Sequence, residues 1–299
     1  SVAATPETAT SPIRTPRRTC SAPTMPSSAS SRPLTGSRLN DRMPEGDTIH
    51  YAARRIRPLV EGRVPEIAHP NPRLRGERWP EKLAGRAVTG VDAHGKHLFV
   101  HFEGDLAIHS HLRMTGSWGT YREGQRWRRA HRRAWLVLKT GEGEVVQFDG
   151  PVLELLTESR TRFDRRLAML GPDILAPALD ERAFIDRLRA DDPTRAIGDA
   201  LLDQRTIAGI GNLWKCEGCF AAQIDPWRPT GAVSDDEALA IVRAARPGMQ
   251  QSAQDGMQDS HRVIYAKAGR PCPRCGAPIR SRGQGDDNRL TYWCAGCQS

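Results

Sequence analysis

Apolar positions recur at helical spacing soon after residue 47, where Ile49, Ala52, Ala53, Ile56 and Leu59 share one face, with Asp47 placed to cap the start and Pro58 near the end. This pattern predicts an amphipathic helix whose apolar residues pack in a core. The period then shortens to two. Val88 to Asp92, His97 to Phe102, Leu106 to Met114, Ala134 to Leu138 and Val145 to Phe148 read as strands of an antiparallel sandwich or barrel. Ala93-His94-Gly95-Lys96 reads as a hairpin connection that sets Lys96 at a turn edge. Further on, Phe184 to Leu188, Ala196 to Leu202 and Asp235 to Ala245 return to helical spacing, so a helical domain follows the first.

Between the second and third of these runs, Gly209 and Gly211 permit a tight turn directly before another helix. It reads as a structural turn, although backbone N–H groups at such a helix start can also bind a phosphate. Cys216 and Cys219 stand at i and i+3 on that helix with no second ligand pair nearby, and are expected to be small buried thiols. Residues 1–42 are rich in Ser, Thr, Pro, Ala and Arg, hold only Glu7 and Asp41 as acids and show no periodicity, so a disordered leader is expected. Its composition resembles an organellar transit peptide, and translation from an upstream start codon would leave the same trace. On either account it is absent from the mature protein, and Cys20 within it has no expected role.

Composition narrows the partners. Lys and Arg total 44 against 35 acids, a formal charge of +9, which favours a polyanion and makes nucleic acid the first candidate. The hydrophobic share of 38% suits a soluble globular chain, and neither a membrane-spanning run nor a signal-peptide core is present, so no membrane partner is expected. Arg122, Arg126, Arg128, Arg129, Arg132 and Arg133, with Trp127 among them, form either a solvated loop or a phosphate contact. Six of the seven cysteines fall in C-x-x-C pairs, which suits metal ligation in a reducing, cytosolic compartment. Cys272, Cys275, Cys294 and Cys297 make a C-x₂-C-x₁₈-C-x₂-C array. That spacing predicts one structural Zn²⁺ with no open position, fixing a β-hairpin too small to fold alone. Arg280, Arg282 and Arg289 between the pairs can face phosphate, although a zinc ribbon can equally bind protein.

Taken in order, M-P-E-G-D at 43–47, G-K-H-L at 95–98, H-L-R-M-T-G at 111–116, L-G-P-D-I-L at 170–175, L-L-D-Q-R-T-I-A-G-I-G-N-L at 201–213 and the terminal Cys₄ hairpin resemble the formamidopyrimidine-DNA glycosylase / endonuclease VIII family, from Met43 to the end of the chain. The resemblance implies an α+β multidomain fold. It has a β-sandwich flanked by helices over 43–175, a helical helix-two-turns-helix domain over 176–260 and a zinc-finger hairpin over 261–299. It also implies damaged DNA as the partner, no small-molecule cofactor, a monomer, and a cytoplasmic protein associated with a bacterial nucleoid.

Residue by residue, the resemblance makes Pro44 the Schiff-base nucleophile, which requires cleavage of the Met43–Pro44 bond, because an amide nitrogen has no usable lone pair. Methionine removal from a chain starting at Met43 would supply that amine, which is largely neutral near pH ~8. Glu45 becomes the proton donor. Read without the family, it would stabilise a helix N-terminus. Lys96 becomes a proton donor or sugar-phosphate contact, Asn212 a phosphate ligand, and Arg289 the zinc-finger phosphate contact and proton donor for δ-elimination. Met114 becomes the wedge that fills the gap left by the flipped nucleotide, or else a core methionine.

Three departures bear on the substrate. Thr48 stands where many relatives carry Glu, Asp149-Gly150-Pro151-Val152-Leu153 replaces the D-P-R-R-F-G wedge loop, and Met249 to Tyr265 is short for the loop that covers flipped 8-oxoguanine. They point to the endonuclease VIII branch: a bifunctional glycosylase/AP lyase acting on oxidised pyrimidines and abasic sites. An 8-oxoguanine or formamidopyrimidine glycosylase is the alternative within the family, and a zinc-dependent damaged-DNA-binding protein without catalysis is the alternative outside enzymes.

Overall fold

The structure, a computed structural model, describes residue 1 and residues 44–299; the leader expected over 1–42 lies, but for its first residue, outside them. The chain runs α1 (Gly46–Val60), β1 (Glu66–Ala68), α2 (Trp79–Lys82), β2 (Val88–His94), β3 (His97–Phe102), β4 (Leu106–His111), β5 (Ser117–Tyr121), β6 (Ala134–Thr140), β7 (Gly143–Phe148) and β8 (Val152–Thr157). There follow α3 (Glu158–Phe163), α4 (Arg165–Ala168), α5 (Glu181–Arg189), α6 (Ile197–Leu202), α7 (Asn212–Ala222), α8 (Asp235–Asp255), β9 (Arg280–Gln284) and β10 (Arg289–Trp293). Two antiparallel four-stranded sheets, β1-β6-β7-β5 and β2-β3-β4-β8, form the sandwich, and β9-β10 is a separate hairpin.

Ile49, Ala53, Ile56 and Val60 of α1 are buried in one core with Val88, Val91, Leu98 and Val100 of β2 and β3 and with Leu136, Leu138 and Val145 of the other sheet. The helical spacing therefore marks a core face, as expected, with Ala52 and Leu59 at its edge. A second core is helical, joining α5, α6, α7 and α8 through Phe184, Leu188, Leu201, Leu213, Trp214, Ile241 and Met249. The zinc-finger hairpin shares its small core with α7, because Cys216 and Phe220 pack with Ile264, Cys272, Ile279 and Cys294. Cys216 and Cys219 are both fully buried, as the pattern predicts.

Several expected boundaries move. Asp47 does not open α1: Gly46 does, and Glu45 is its N-cap residue with no side-chain cap bond. β4 stops at His111 rather than Met114, because Arg113 turns into the left-handed region (φ +46°) and donates its backbone N–H to His111 Nδ1 at 3.2 Å. β5 and β8 are strands that the period-two reading passed over. Most consequential is α8, which runs ten residues beyond Ala245, through Pro247. The proline removes one helical donor, yet beyond it Met249 and Ser252 are buried, and Gly248 lies so close to Trp214 that a Cβ there would come within 2.7 Å of the indole. Tertiary burial outweighs the local stop signal.

Candidate active site

Gly46 presents its N–H to Gly209 O at 2.8 Å, and a Cβ on Gly46 would stand 2.7 Å from Gly209 Cα, so only glycine lets the start of α1 lie against that loop. The approach delivers the Glu45 side chain to the first turn of α7. Glu45 Oε2 accepts from Gly211 N at 2.9 Å and Trp214 N at 3.4 Å, while Oε1 accepts from Leu213 N at 2.8 Å. Glu45 therefore caps a helix 166 residues away, not its own. The N–H groups that the paired glycines could have offered to a phosphate are filled by this carboxylate. Burial pushes the Glu45 carboxyl up to about 7; nearby Lys96 opposes the shift, Asp47 adds to it, and the α7 N–H groups oppose it.

Lys96 arrives from the other side. His94 pairs with His97, so the hairpin turn is Gly95-Lys96, with positive φ at Gly95. Asp173, from the L-G-P-D-I-L stretch, orients this turn: its Oδ2 accepts from Gly95 N at 3.0 Å and from His50 Nε2 at 2.8 Å, and its Oδ1 from Leu175 N at 2.8 Å. Lys96 is half-buried. Burial pulls its ammonium down to about 8, the Glu45 charge opposing and Arg289 assisting.

Pro44, Lys96, Met114 and Arg289 all line one cleft of about 740 Å³, together with Arg113, Arg195 and five carboxylates, Asp192, Asp199, Asp203, Asp286 and Asp287. Met114 is 63% exposed beside the turn at Arg113, which is not a core methionine's position. Arg289, at the start of β10, directs Nε and Nη2 to Asp287 Oδ2 at 3.2 and 3.1 Å. Asn212 is placed differently from the other expected residues: it is buried and its Nδ2 donates to Leu290 O at 2.8 Å, so it joins α7 to the hairpin. Lys215 makes a second such join, donating from the core to Thr291 Oγ1 at 2.5 Å and Gln284 Oε1 at 3.2 Å. The Arg-rich stretch divides: Arg129 bonds Asp149 and donates to Thr115 O at 3.2 Å, next to Met114, and Arg133 also pairs with Asp149. Arg122, Arg126 and Arg132 are exposed.

His111 was not singled out from the sequence, although it stands in the same stretch as Met114. It lines the cleft beside Pro44 and Lys96. Burial, with Arg113 and Lys96 nearby, pulls its imidazole down to about 4. It is therefore neutral at pH 7, and since Nδ1 accepts from Arg113 N, Nε2 carries the hydrogen. The signal that could have found it is a histidine at a strand end next to a positive-φ turn.

The four C-terminal sulfurs all lie within 4.8 Å of one another, Cys272 and Cys297 at 3.8 Å and Cys275 and Cys294 at 3.5 Å. A tetrahedral zinc with bonds of about 2.3 Å needs sulfurs about 3.8 Å apart, so the residues present fit that ion. Cys294→Ser is expected to loosen the hairpin and weaken DNA binding at least about tenfold, since removing one ligand removes folding free energy. Chelator titration followed by binding to abasic-site DNA measures this.

One steric prediction follows from the Glu45 seat. A Cβ on Gly211 would lie 2.2 Å from Glu45 Cδ, while the backbone there is extended and open to any residue. Gly211→Ala should displace the carboxylate and slow single-turnover excision by about 100-fold, the scale of a 1 Å misplacement. DNA affinity should barely change.

Together, the sandwich, the helical domain and the cysteine hairpin around a cleft lined by both basic and acidic side chains define the architecture of a DNA-repair glycosylase. Residues 43–151 match the formamidopyrimidine-DNA glycosylase N-terminal domain, and residues 170–262 match the H2TH domain of the same enzymes. A probable endonuclease 8 2 of Streptomyces coelicolor is 40% identical over 268 residues, covering 86% of this chain and 94% of the relative. The DNA-(apurinic or apyrimidinic site) lyase Nei2 of Mycolicibacterium smegmatis is 36% identical, covering 86% and 99%. In fold, the chain is similar to the Lactococcus lactis Fpg solved with damaged DNA, at TM-score 0.73 and 24% identity, covering 86% and 100%. The chain belongs to the formamidopyrimidine-DNA glycosylase / endonuclease VIII family.

Proposed function

We propose that this enzyme, a DNA glycosylase and AP lyase of base excision repair, removes oxidised pyrimidines and opens abasic sites through a Schiff base on Pro44. The observation that carries the reading is the meeting of Pro44 and Lys96 in one cleft, backed by a buried Glu45 whose carboxyl is raised to about 7. Once freed by cleavage at Met43, the Pro44 amine attacks C1′ of the lesion nucleotide. The N–C1′ bond forms as the C1′–base bond breaks, and Glu45 donates the proton that the leaving base takes up. The Pro44 nitrogen then gives up its proton and O4′ takes one as the C1′–O4′ bond breaks, leaving the open-chain iminium, which acidifies C2′. Loss of that proton and of the 3′ phosphate breaks the strand.

Lys96, Arg289 and the His111 N–H line the same cleft as Pro44, which supports roles as donors to sugar and phosphate oxygens, and the exposure of Met114 supports its role as the wedge. Asn212 Nδ2 carries two hydrogens, so it can keep its bond to Leu290 O and offer the second to a phosphate. Cys272, Cys275, Cys294 and Cys297 would hold a structural zinc that supplies folding energy to the hairpin and takes no part in the bond changes. The protein is expected to act as a monomer.

The pyrimidine reading is supported by the endonuclease 8 relatives and by two replaced loops. Val152–Thr157, where a purine-type wedge loop would stand, is strand β8, and of Met249 to Tyr265 the first seven residues belong to helix α8, which leaves only residues 256–265, with their 3₁₀ turn, for a covering loop. Matched duplexes carrying thymine glycol or 8-oxoguanine test it: faster release of thymine glycol is expected, and faster release of 8-oxoguanine would overturn it.

A further inference from the structure

Asp47 is a buried carboxylate that none of the roles above uses. It sits in the first turn of α1, two residues after Glu45, with no exposed surface. Its Oδ2 accepts from Ser252 Oγ at 2.5 Å and its Oδ1 from Gln258 Nε2 at 3.0 Å. Ser252 lies in the part of α8 beyond Pro247, and Gln258 opens the 3₁₀ turn Gln258–His261. Both partners are themselves buried, at 1% and 2% exposure. A carboxylate is strongly disfavoured in such a place unless hydrogen-bonded. Here the bonds join the start of α1 to the end of α8.

The three residues after Pro44 are thus each fastened to a different element: Glu45 to α7, Gly46 to the Gly209 loop, Asp47 to α8. We infer that Asp47 is a positioning residue, which through Ser252 and Gln258 locks the first turn of α1 onto the end of α8 and so sets where the Pro44 nitrogen and the Glu45 carboxyl stand in the cleft. The inference rests on the roles proposed for Pro44 and Glu45.

Burial raises the Asp47 carboxyl above its ordinary range, opposed by its bonds with Ser252, Trp214, the Thr48 N–H and Gln258, and in its charged form it adds negative charge beside Glu45. The other titratable groups facing Glu45 are Lys96 from the β2–β3 turn, Lys215 and Cys216 from α7, and Tyr265 from the segment after the 3₁₀ turn, with Arg289 of β10 acting on Lys96. A negative neighbour favours protonated Glu45. Removing it lowers the pH at which the proton is lost, so the falling limb of the activity profile should move to lower pH.

The test uses protein beginning at Pro44, with borohydride trapping and single-turnover cleavage of abasic-site DNA measured across pH. Asp47→Asn is expected to lower turnover at least about tenfold, leave KM and binding to a reduced abasic analogue within about twofold, and displace the falling limb downward. Parent-like turnover and pH profile in Asp47→Asn would overturn the inference. Should Asp47→Asn not fold, the Ser252→Ala, Gln258→Ala double variant decides: a loss of turnover at unchanged KM supports the lock, and parental turnover overturns it. Absence of trapping by the parent protein would instead sink the Pro44 reading, and this inference with it.

Discussion

Protein that begins at Pro44 should form a covalent adduct with abasic-site DNA under borohydride, and the same chain beginning at Ser1 should form none. The reason is electronic. With Met43 attached, the Pro44 nitrogen is an amide whose lone pair is delocalised into the carbonyl, and no placement in the cleft restores its nucleophilicity. Pro44→Gly, which keeps an α-amine but exchanges a secondary for a primary one, should trap more slowly. Blocking the amine altogether should reduce trapping by at least about 10³-fold, the scale of losing a nucleophile. DNA affinity should persist in every case, since the cleft cations Lys96, Arg113, Arg195 and Arg289 remain. Equal trapping by the Ser1 form would point to another amine. Lys215 is a poor candidate, being buried and bonded to Thr291 and Gln284.

The second large effect is expected for Glu45→Gln, which acts on chemistry and structure together. As the proton donor, Glu45 is useful only while it holds its proton. With its carboxyl raised to about 7, base excision should therefore decline as pH rises through that region. The Pro44 amine imposes the opposite limb, because it must lose a proton first. A bell-shaped profile follows, and Glu45→Gln should remove its falling limb along with about 10²- to 10⁴-fold of the excision rate. Structurally, the carboxylate takes three N–H groups of α7, whereas an amide offers one oxygen and points an NH₂ group at the remaining donors. That mismatch should destabilise the fold by about 1–3 kcal/mol, visible as a lower Tm. Loss of activity with an unchanged Tm would mean that the carboxylate is not seated as described.

Much of this site was legible in one dimension. The helical face of α1, the β2–β3 hairpin and the spacing of the four cysteines are local patterns, set by residues near each other in sequence, and each stands where its period placed it. Other features were illegible for a common reason. β8 lacks clean alternation because it is the edge strand of its sheet, paired with β4 alone, and its burial follows no period of two. α8 passes Pro247 because Trp214, on another helix, packs against the next residue. Asn212 reads as a phosphate ligand by its motif, and its motif does not show that one of its two Nδ2 hydrogens goes to a hairpin 78 residues on.

The sequence by itself determined the family, the order of the sandwich, helical domain and hairpin, and the cysteine array that could bind a metal; through the family resemblance it also singled out Pro44 as the proposed nucleophile. The tertiary structure decided what Glu45 and Asp47 are bonded to. One reads locally as a helix-start acid and the other as a cap, yet the first caps α7 and the second ties α1 to α8, across 166 and 205 residues. A carboxylate's proton affinity is set by what surrounds it, not by its neighbours in the chain, so only the folded molecule raises the carboxyl of the acid beside Pro44 to about 7.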